Sequence, residues 1–358
     1  MRSMSGVSPV TVSAALIVRD EERLLGGCLE TVVGRVNEIV IADTGSTDRT
    51  RKIAEAFGAR IIDRPWTGDF SVARNAALDA VSSNWVLYID ADERLRLPNG
   101  GRVSDYVEPT AVAGLVRFRP RTGFTRYLEW RLFRSDPRIR FKGKIHETMV
   151  DAIQAVSAAE VAPVIRTEIG IDHLGYDGDQ TSKHARNLPL LREAVTADPS
   201  RIFLWFHLTE TLAAIGELKA ARRTAQEGLS RVDSRSSEKD RAAASMIYQF
   251  LARDGLARGL DVLDLIDQGL ARFPDDLALT YLKGRALLTR QDANGAMQVA
   301  QMLLATNPDS LSDGILAYDR SIFDKRALEV AALASLQLGH SSQALAYFAT
   351  AARLATAA

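Results

Sequence analysis

Two carboxylates follow directly on an apolar segment, and their spacing suits a divalent cation. The run from Trp85 to Ile89 is mostly apolar and predicts a buried strand, after which Asp90 and Asp92 leave the sheet. Ligands of an open α/β sheet bind outside the carboxyl ends of its strands, and side chains two apart on an extended chain point the same way. Magnesium binds one or two carboxylates together with phosphate oxygens. The pattern therefore predicts a metal–diphosphate site, with a solvated acidic turn as the alternative.

A second polar segment follows another short apolar strand. It begins at Asp43 and reads Asp-Thr-Gly-Ser-Thr-Asp. A carboxylate at this strand end can accept hydrogen bonds from a ribose hydroxyl or a base N–H. Gly45 permits a tight turn with positive φ, and Asp48 is suited to cap the next helix. The alternative is a turn and a helix cap without a ligand.

A predicted helix start supplies positive charge for a diphosphate. Gly68 and Asp69 mark this start, where free backbone N–H groups suit an anion. Arg74 and Asn75 follow one turn later. Arginine offers a planar fork for diphosphate, and asparagine can hold a loop or a sugar hydroxyl. A surface ion pair and a polar helix face are the alternative for these two residues.

The elements that carry these residues alternate between strand and helix patterns. This alternation, which extends to the strand before Asp90, predicts a mostly parallel sheet with helices on both faces. Residues 115–119 and 130–134 alternate in polarity and predict strands of a mixed or antiparallel extension. Cys28 is the only cysteine, and we expect it to pack as a small apolar side chain.

The second half of the chain follows a different pattern. After about Thr181 the sequence is helical in pattern and rich in Ala and Leu. Pro274 and Pro308 are spaced by the 34-residue period of tetratricopeptide repeats. We therefore predict an α/β domain over residues 1–179 and a tetratricopeptide-like helical repeat domain over residues 180–358. An irregular helical bundle is the alternative for the second domain.

The composition limits the classes of partner. Of the 358 residues, 46% are hydrophobic, and 45 basic residues balance 45 acidic ones. This balance argues against nucleic acid or an anionic membrane surface as the partner. No apolar run approaches the length of a membrane span, and the first nine residues lack the apolar core of a signal peptide. We expect a cytoplasmic protein without a transmembrane segment.

The order of the motifs resembles glycosyltransferase family 2. The segments that begin at Leu16, Asp43, Ala73 and Asp90 follow one another as they do in that family. Its members have a GT-A fold and use nucleotide-diphosphate sugars. The resemblance implies that Asp92 binds Mn²⁺ or Mg²⁺. It also implies a nucleotide-sugar site built from Ile17, Val18, Arg19, Asp43, Arg74, Asn75, Asp90 and Ala91.

The resemblance assigns these residues separate roles. The backbone of residues 17–19 would line the base pocket, and Asp43 would contact the nucleoside. Arg74 would hold the nucleotide or its phosphates, and Asp90 would face the ribose or the sugar. Asp43 and Thr44 stand where many members have two acidic residues, so the fine contacts to the nucleoside differ from the family pattern.

Later segments resemble a bacterial branch of the family that carries tetratricopeptide repeats. Trp130 to Arg134 and Gly143 to Glu147 match that branch, and Ile171 to Tyr176 with Lys183 to Asn187 resemble its junction with the repeats. Relatives of peptide and protein glycosyltransferases belong to this branch. They use the repeats for oligomerisation or acceptor contact.

The resemblance leaves the catalytic base to be assigned. The acidic pair that supplies the base in many members is not found, so Glu147 is the predicted base. His146 is predicted as a metal or phosphate ligand or as an alternative base, and a polar pair at a strand end is the competing interpretation. His173 is predicted as a buried imidazole with satisfied hydrogen bonds. Arg131 and Arg134 are predicted as phosphate or acceptor ligands, or as solvated strand charges.

The resemblance implies an α/β GT-A (Rossmann-like mixed sheet) catalytic domain, which is followed by an all-α tetratricopeptide-like repeat domain. The expected function is inverting, metal-dependent transfer of a sugar from a nucleotide-diphosphate donor, with a UDP-sugar favoured, to a protein, peptide or glycan acceptor. A homodimer through the helical repeats is a further expectation. The alternative is a catalytically inactive sugar-nucleotide-binding scaffold, against which the intact Asp90 and Asp92 argue. A nucleotidyltransferase is disfavoured because no Gly-rich phosphate loop with a lysine is present.

Overall fold

The computed structural model of the protein describes residues 9–174, 181–234 and 236–356. This described chain forms two compact units. One contains residues 9–122 and 127–174, and the other contains residues 123–126 and 181–356. Tyr176 and the predicted boundary between Asp179 and Gln180 lie outside the described residues.

The first unit is an α/β domain built on one mixed sheet. Its described strands are β1 (Val12–Val18), β2 (Glu38–Asp43), β3 (Arg60–Asp63), β4 (Trp85–Tyr88), β5 (Glu93–Arg96), β6 (Ala113–Arg119), β7 (Tyr127–Arg134) and β8 (Val164–His173). Its described α-helices are α1 (Leu25–Val32), α2 (Thr50–Ala56), α3 (Phe70–Ala80) and α4 (Val150–Glu160). The strands lie in the order β3-β2-β1-β4-β7-β6-β8-β5.

The parallel half of the sheet places the ends of four strands at one edge. Strand β1 pairs in parallel with β2 and with β4, and β2 pairs in parallel with β3. Strand β7 then pairs antiparallel with both β4 and β6, as the alternation in residues 115–119 and 130–134 predicts. Strand β8 is parallel to β6, and β5 pairs antiparallel with β8. The predicted parallel sheet with a mixed extension is confirmed.

The core of this unit lies on both faces of the sheet, as the period of two along a strand requires. On β2, Ile39 and Ile41 pack with α1, while Val40 and Ala42 pack on the face covered by α3 and α4. Cys28 is fully buried on α1 among apolar side chains, as predicted.

The second unit is helical throughout its described elements. Its α-helices are α5 (Thr181–Ala197), α6 (Ile202–Ala214), α7 (Leu218–Ser230), α8 (Glu238–Ala257), α9 (Leu263–Arg272), α10 (Leu277–Thr289), α11 (Ala293–Ala305), α12 (Lys325–Gln337) and α13 (Ser341–Thr356). Consecutive helices pack as pairs, among them α6 with α7, α10 with α11 and α12 with α13. The predicted helical repeat domain is confirmed.

Glycines allow the paired helices to approach closely. A Cβ atom added to Gly228 of α7 would lie 2.7 Å from the Cβ of Trp205 on α6. One added to Gly284 of α10 would lie 2.9 Å from Cγ1 of Val299 on α11. Both distances are shorter than packed carbon atoms tolerate, so a larger residue at either position would push the pair apart. No helix of the described chain is both long and apolar enough to cross a membrane.

Candidate active site

The polar motifs meet at the edge where the parallel strands end. Val18 at the end of β1 lies in register with Asp43 at the end of β2, and Asp90 follows β4 by two residues. Ala91 and Asp92 form a turn before β5 begins. We expected Asp90 and Asp92 to point the same way along an extended chain. The chain turns between them instead, and each carboxylate has its own partner.

Asp90 lies at the centre of a row of five alternating charges, which we call the charge network. In order, its members are Glu147, Arg74, Asp90, Arg131 and Glu93. Arg74 Nη2 donates to Asp90 Oδ1 over 3.0 Å, and its Nε donates to Glu147. Arg131 Nη2 donates to Glu93 Oε1 over 2.8 Å, and its Nη1 lies 3.6 Å from Asp90 Oδ2. Each arginine thus joins two carboxylates.

An aromatic side chain supports both arginines of the charge network. The guanidinium carbons of Arg131 and Arg74 lie 4.3 and 4.9 Å from the centre of the Tyr88 ring. Arg74 also lies 5.5 Å from the ring centre of Phe141. The side chain of Asn75 accepts from the N–H of Phe141 over 2.9 Å and donates to its carbonyl over 3.0 Å. Asn75 therefore holds a loop, which is the first of its two predicted roles.

Burial and pairing set the charge states in this network. Burial opposes ionisation of Asp90, but Arg74 and Arg131 lower the pKa of its carboxyl below the ordinary value. Burial likewise opposes the charged form of Arg74, yet Asp90 and Glu147 raise its pKa. Burial raises the pKa of Glu93 to about 7, against the opposing effect of Arg131. The side chain of Asp90 is 32% exposed and that of Glu93 only 1%, so the network opens to solvent at Asp90.

Asp92 contacts an imidazole at the end of β8, the strand that pairs with β5. His173 ends β8, and its Nε2 lies 2.9 Å from Asp92 Oδ2 while its Nδ1 lies 2.8 Å from the carbonyl oxygen of Pro120. Burial lowers the pKa of His173, but the hydrogen bond to Asp92 outweighs it and raises the pKa above the ordinary value. Both ring nitrogens have partners, as predicted, but the side chain is 28% exposed and not buried as expected. No local sequence pattern indicates that one of these partners is Asp92.

Asp43 is buried within its own turn. Its Oδ1 accepts hydrogen bonds from the N–H and the hydroxyl of Ser46, over 2.9 and 2.6 Å, and its Oδ2 accepts from Arg51 over 2.8 Å. Although burial opposes ionisation, these hydrogen bonds lower the pKa of Asp43. Asp48 accepts from the N–H of Thr50, the first residue of α2, over 2.8 Å, but the N-cap residue of this helix is Arg49 and not Asp48 as predicted.

The remaining residues assigned by resemblance lie in two places. Ile17 and Val18 end β1, where the Val18 carbonyl accepts from the N–H of Thr44 over 2.9 Å, and Arg19 follows as an exposed residue. His146 has a φ of 49°, in the left-handed region, and lies in the loop just before α4. Its neighbour Glu147 is brought to the charge network through Arg74.

The side chains at the edge where the strands end fit a divalent cation whose remaining ligands are substrate oxygens. Within the described residues, no group of three His, Cys, Asp or Glu side chains is arranged to hold a metal. Asp92 and His173 nevertheless offer one carboxylate oxygen and one imidazole nitrogen, which are ligands for Mn²⁺. The contact from His173 Nδ1 to a backbone carbonyl orients the ring and leaves Nε2 directed at Asp92.

Residues 13–150 match the profile of the family described as Glycosyl transferase family 2. This part of the chain is a glycosyltransferase family 2 domain. The chain is also similar to a TPR repeat-containing protein of Synechococcus elongatus, with 37% identity over 238 residues, which cover 63% of this chain and 58% of that protein. It is 27% identical over 205 residues to the prophage-derived glycosyltransferase SunS of Bacillus subtilis, covering 53% of this chain and 46% of SunS.

The chain spans about half the length of the curated relatives it matches. A crystal structure of glucosyl-3-phosphoglycerate synthase from Mycobacterium tuberculosis, in complex with Mn²⁺, UDP and glucosyl-3-phosphoglycerate, is also similar. That match has a TM-score of 0.38 and 15% identity, and it covers 52% of this chain and 79% of the synthase. Sequence reasoning found the family and the acidic turn of the domain. It did not find the contacts of His173, Arg131 and Glu93.

Proposed function

We propose that the protein is an inverting, metal-dependent glycosyltransferase. It moves a sugar from a nucleotide-diphosphate donor, with a UDP-sugar favoured, to a protein, peptide or glycan acceptor. The observation that carries the proposal is the pairing of Asp92 with His173 at the strand edge of a family 2 domain. Asp92 also follows Asp90 by two residues, and two buried arginines keep the Asp90 carboxylate ionised.

The residues at the strand edge divide the work of donor binding. Asp92 and His173 would hold Mn²⁺ or Mg²⁺, which as a Lewis acid stabilises the charge of the leaving diphosphate. Asp90, fixed by Arg74 and Arg131, faces the ribose or the sugar as a hydrogen-bond acceptor. The backbone of residues 17–19 lines the base pocket, and Asp43 contacts the nucleoside through its turn. Because these groups are fixed before the donor arrives, little reorganisation opposes binding.

Glu147 is the proposed base, with His146 as the alternative and as an additional candidate ligand for the metal. The acceptor oxygen attacks the anomeric carbon, the bond from that carbon to the diphosphate breaks, and Glu147 takes the acceptor proton. Glu147 is nearly buried and accepts a hydrogen bond from Arg74, which holds its carboxylate beside Asp90.

Replacement of Glu147 by Gln is expected to lower kcat by at least about 100-fold, since general bases contribute ~10²–10⁴-fold. The glutamine amide oxygen still accepts from Arg74, so the donor Kd should change by less than about threefold. Steady-state kinetics and donor titration measure the two quantities. Glu160→Gln, at a carboxylate that also pairs with arginines but ends α4, is the control. A parallel loss of donor affinity would assign Glu147 to binding instead.

We further propose that two copies of the chain pair through the helical repeats. The support is an apolar face on the last two described helices. Leu333 and Leu336 of α12 are 44% and 48% exposed, and Leu345 and Phe348 of α13 are 69% and 37% exposed. Exposed apolar groups so close together are typical of contact surfaces.

We also propose, from the composition of the chain, that the protein is cytoplasmic.

A screen of nucleotide sugars by thermal unfolding, with and without Mn²⁺, tests the proposed function. A donor at 100 times its Kd stabilises the native state by about 2.7 kcal/mol, so the true donor is expected to raise the Tm, and to do so more strongly with Mn²⁺. The protein should also release the sugar slowly from the same donor. Stabilisation without any release of sugar, under all acceptors tried, would favour the inactive scaffold.

A further inference from the structure

One face of α1 lies along the turn that carries Asp92. The thiol of Cys28 donates to the carbonyl of Asp90 over 3.3 Å, and the hydroxyl of Thr31 accepts from the N–H of Leu95 over 3.0 Å. These two helix residues are three apart and therefore lie on the same side of α1. The turn and the start of β5 are thus attached to the helix at two points one helical turn apart.

Arg94 makes a third attachment and also binds the turn itself. Its Nη1 donates to the carbonyl oxygens of Ala91 and Glu93, over 3.1 and 2.8 Å, and its Nη2 donates to the carbonyl oxygen of Leu24 over 3.3 Å. The two carbonyls bound by Nη1 belong to the residues on either side of Asp92. A single guanidinium therefore fixes the backbone on both sides of Asp92 and joins it to the start of α1.

Gly27 leaves the space that this guanidinium occupies. A Cβ atom at position 27 would lie 2.6 Å from Arg94 Nη2 and 3.0 Å from its Cζ. The first of these distances is shorter than packed atoms tolerate, so any larger residue must shift the guanidinium from its present place. Gly26, its neighbour on the same helix, differs: its Cβ would meet only Ile53 Cγ2, at an ordinary 3.8 Å.

The chain just before α1 is bound to the nucleoside side of the site. Asp20 accepts from the N–H of Thr47 over 2.7 Å, and the N–H of Glu22 donates to Asp48 over 3.0 Å. Helix α1 therefore has the turn that follows Asp43 attached at its start and the Asp92 turn attached along its face. A rigid helix between the two turns fixes the distance between them.

We propose that Arg94, lying against Gly27, is a positioning residue for Asp92. It holds the turn from Asp90 to Asp92 against α1, so that the Asp92 carboxylate has its orientation before a metal ion binds. The expected change in Mn²⁺ affinity rests on the proposed function. The role of Arg94 in ordering the turn does not, because the hydrogen bonds that define this role are within the chain.

The experiment compares Gly27→Ala, Arg94→Ala and the double variant with wild type, and uses Gly26→Ala as the matched control. Titration with MnCl₂ alone measures metal affinity, and hydrogen exchange measures the amides of Glu93 and Leu174. These amides donate to the carbonyls of Asp90 and Asp92, each over 3.0 Å. We expect Mn²⁺ affinity to fall about 10-fold in Gly27→Ala and in Arg94→Ala, the loss typical of a partner that orients a ligand. Both amides should exchange faster, while Gly26→Ala matches wild type.

The double variant gives the sharpest result. If Gly27→Ala acts by displacing Arg94, the double variant should lose no more affinity than Arg94→Ala alone. Losses that add, or unchanged amide exchange in both single variants, would overturn the proposal. Arg94→Lys creates no overlap with Gly27 and replaces the two nitrogens that bind these carbonyls by a single one, so an intermediate exchange rate is expected even if Gly27→Ala does not fold. If wild type itself binds no Mn²⁺, the proposed function fails, and hydrogen exchange still decides the role of Arg94.

Discussion

Replacement of Asp92 by Asn, or of His173 by Ala, is expected to abolish Mn²⁺-dependent sugar transfer. Each variant removes one of the two protein ligands proposed for the metal, which lie 2.9 Å apart. Loss of a group that merely orients a ligand costs about 10–100-fold in metal affinity, and loss of the ligand itself should exceed that range. Calorimetric titration with MnCl₂ and an assay of sugar release measure the two effects.

His146→Ala in the same titration decides which imidazole binds the metal. A loss confined to His173→Ala would leave His146 to phosphate or to the acceptor, whereas losses in both would make His146 an additional ligand. Circular dichroism of each variant controls for folding. Unchanged Mn²⁺ affinity in both Asp92→Asn and His173→Ala would refute the assigned metal site.

Replacement of Arg131 by Met is expected to destabilise the first unit by about 3–5 kcal/mol, the cost of removing one partner from a buried ion pair. Arg131 is 9% exposed at its side chain, and its partner Glu93 is 1% exposed. Without the arginine, Glu93 has a buried carboxylate and Asp90 loses one of its two cations. Urea denaturation followed by tryptophan fluorescence measures the change, because Trp66, Trp85 and Trp130 all lie in the first unit.

Two further variants separate pairing from general damage. Arg290→Ala breaks an ion pair with Asp261 in which the side chains are 42% and 53% exposed, and it should cost less than about 1 kcal/mol. Glu93→Leu combined with Arg131→Met removes both buried charges and should recover much of the stability. A loss of less than about 1 kcal/mol for Arg131→Met alone would show that the pair is not needed for the fold.

The turn from Asp90 to Asp92 shows what local sequence patterns predict and what they do not. The apolar run before Asp90 predicted a buried strand, and β4 with the turn after it occupies that place. The order of the motifs predicted the family, which the match over residues 13–150 confirms. The direction of the two carboxylates was not predictable in the same way, since it depends on a turn whose hydrogen bonds come from α1 and from Arg94.

The sequence by itself determined the strand and helix segments, the class of fold, and the repeats of the second unit, because these follow from apolar periodicity and turn residues a few positions apart. Only the tertiary structure decided which charges meet. Arg131 reaches Glu93 across 38 positions, and His173 reaches Asp92 across 81. Both contacts depend on the order and register of the strands, and a shift of one residue would turn either side chain to the opposite face. The position of a strand within the sheet is a property of the whole domain, and no local pattern contains it.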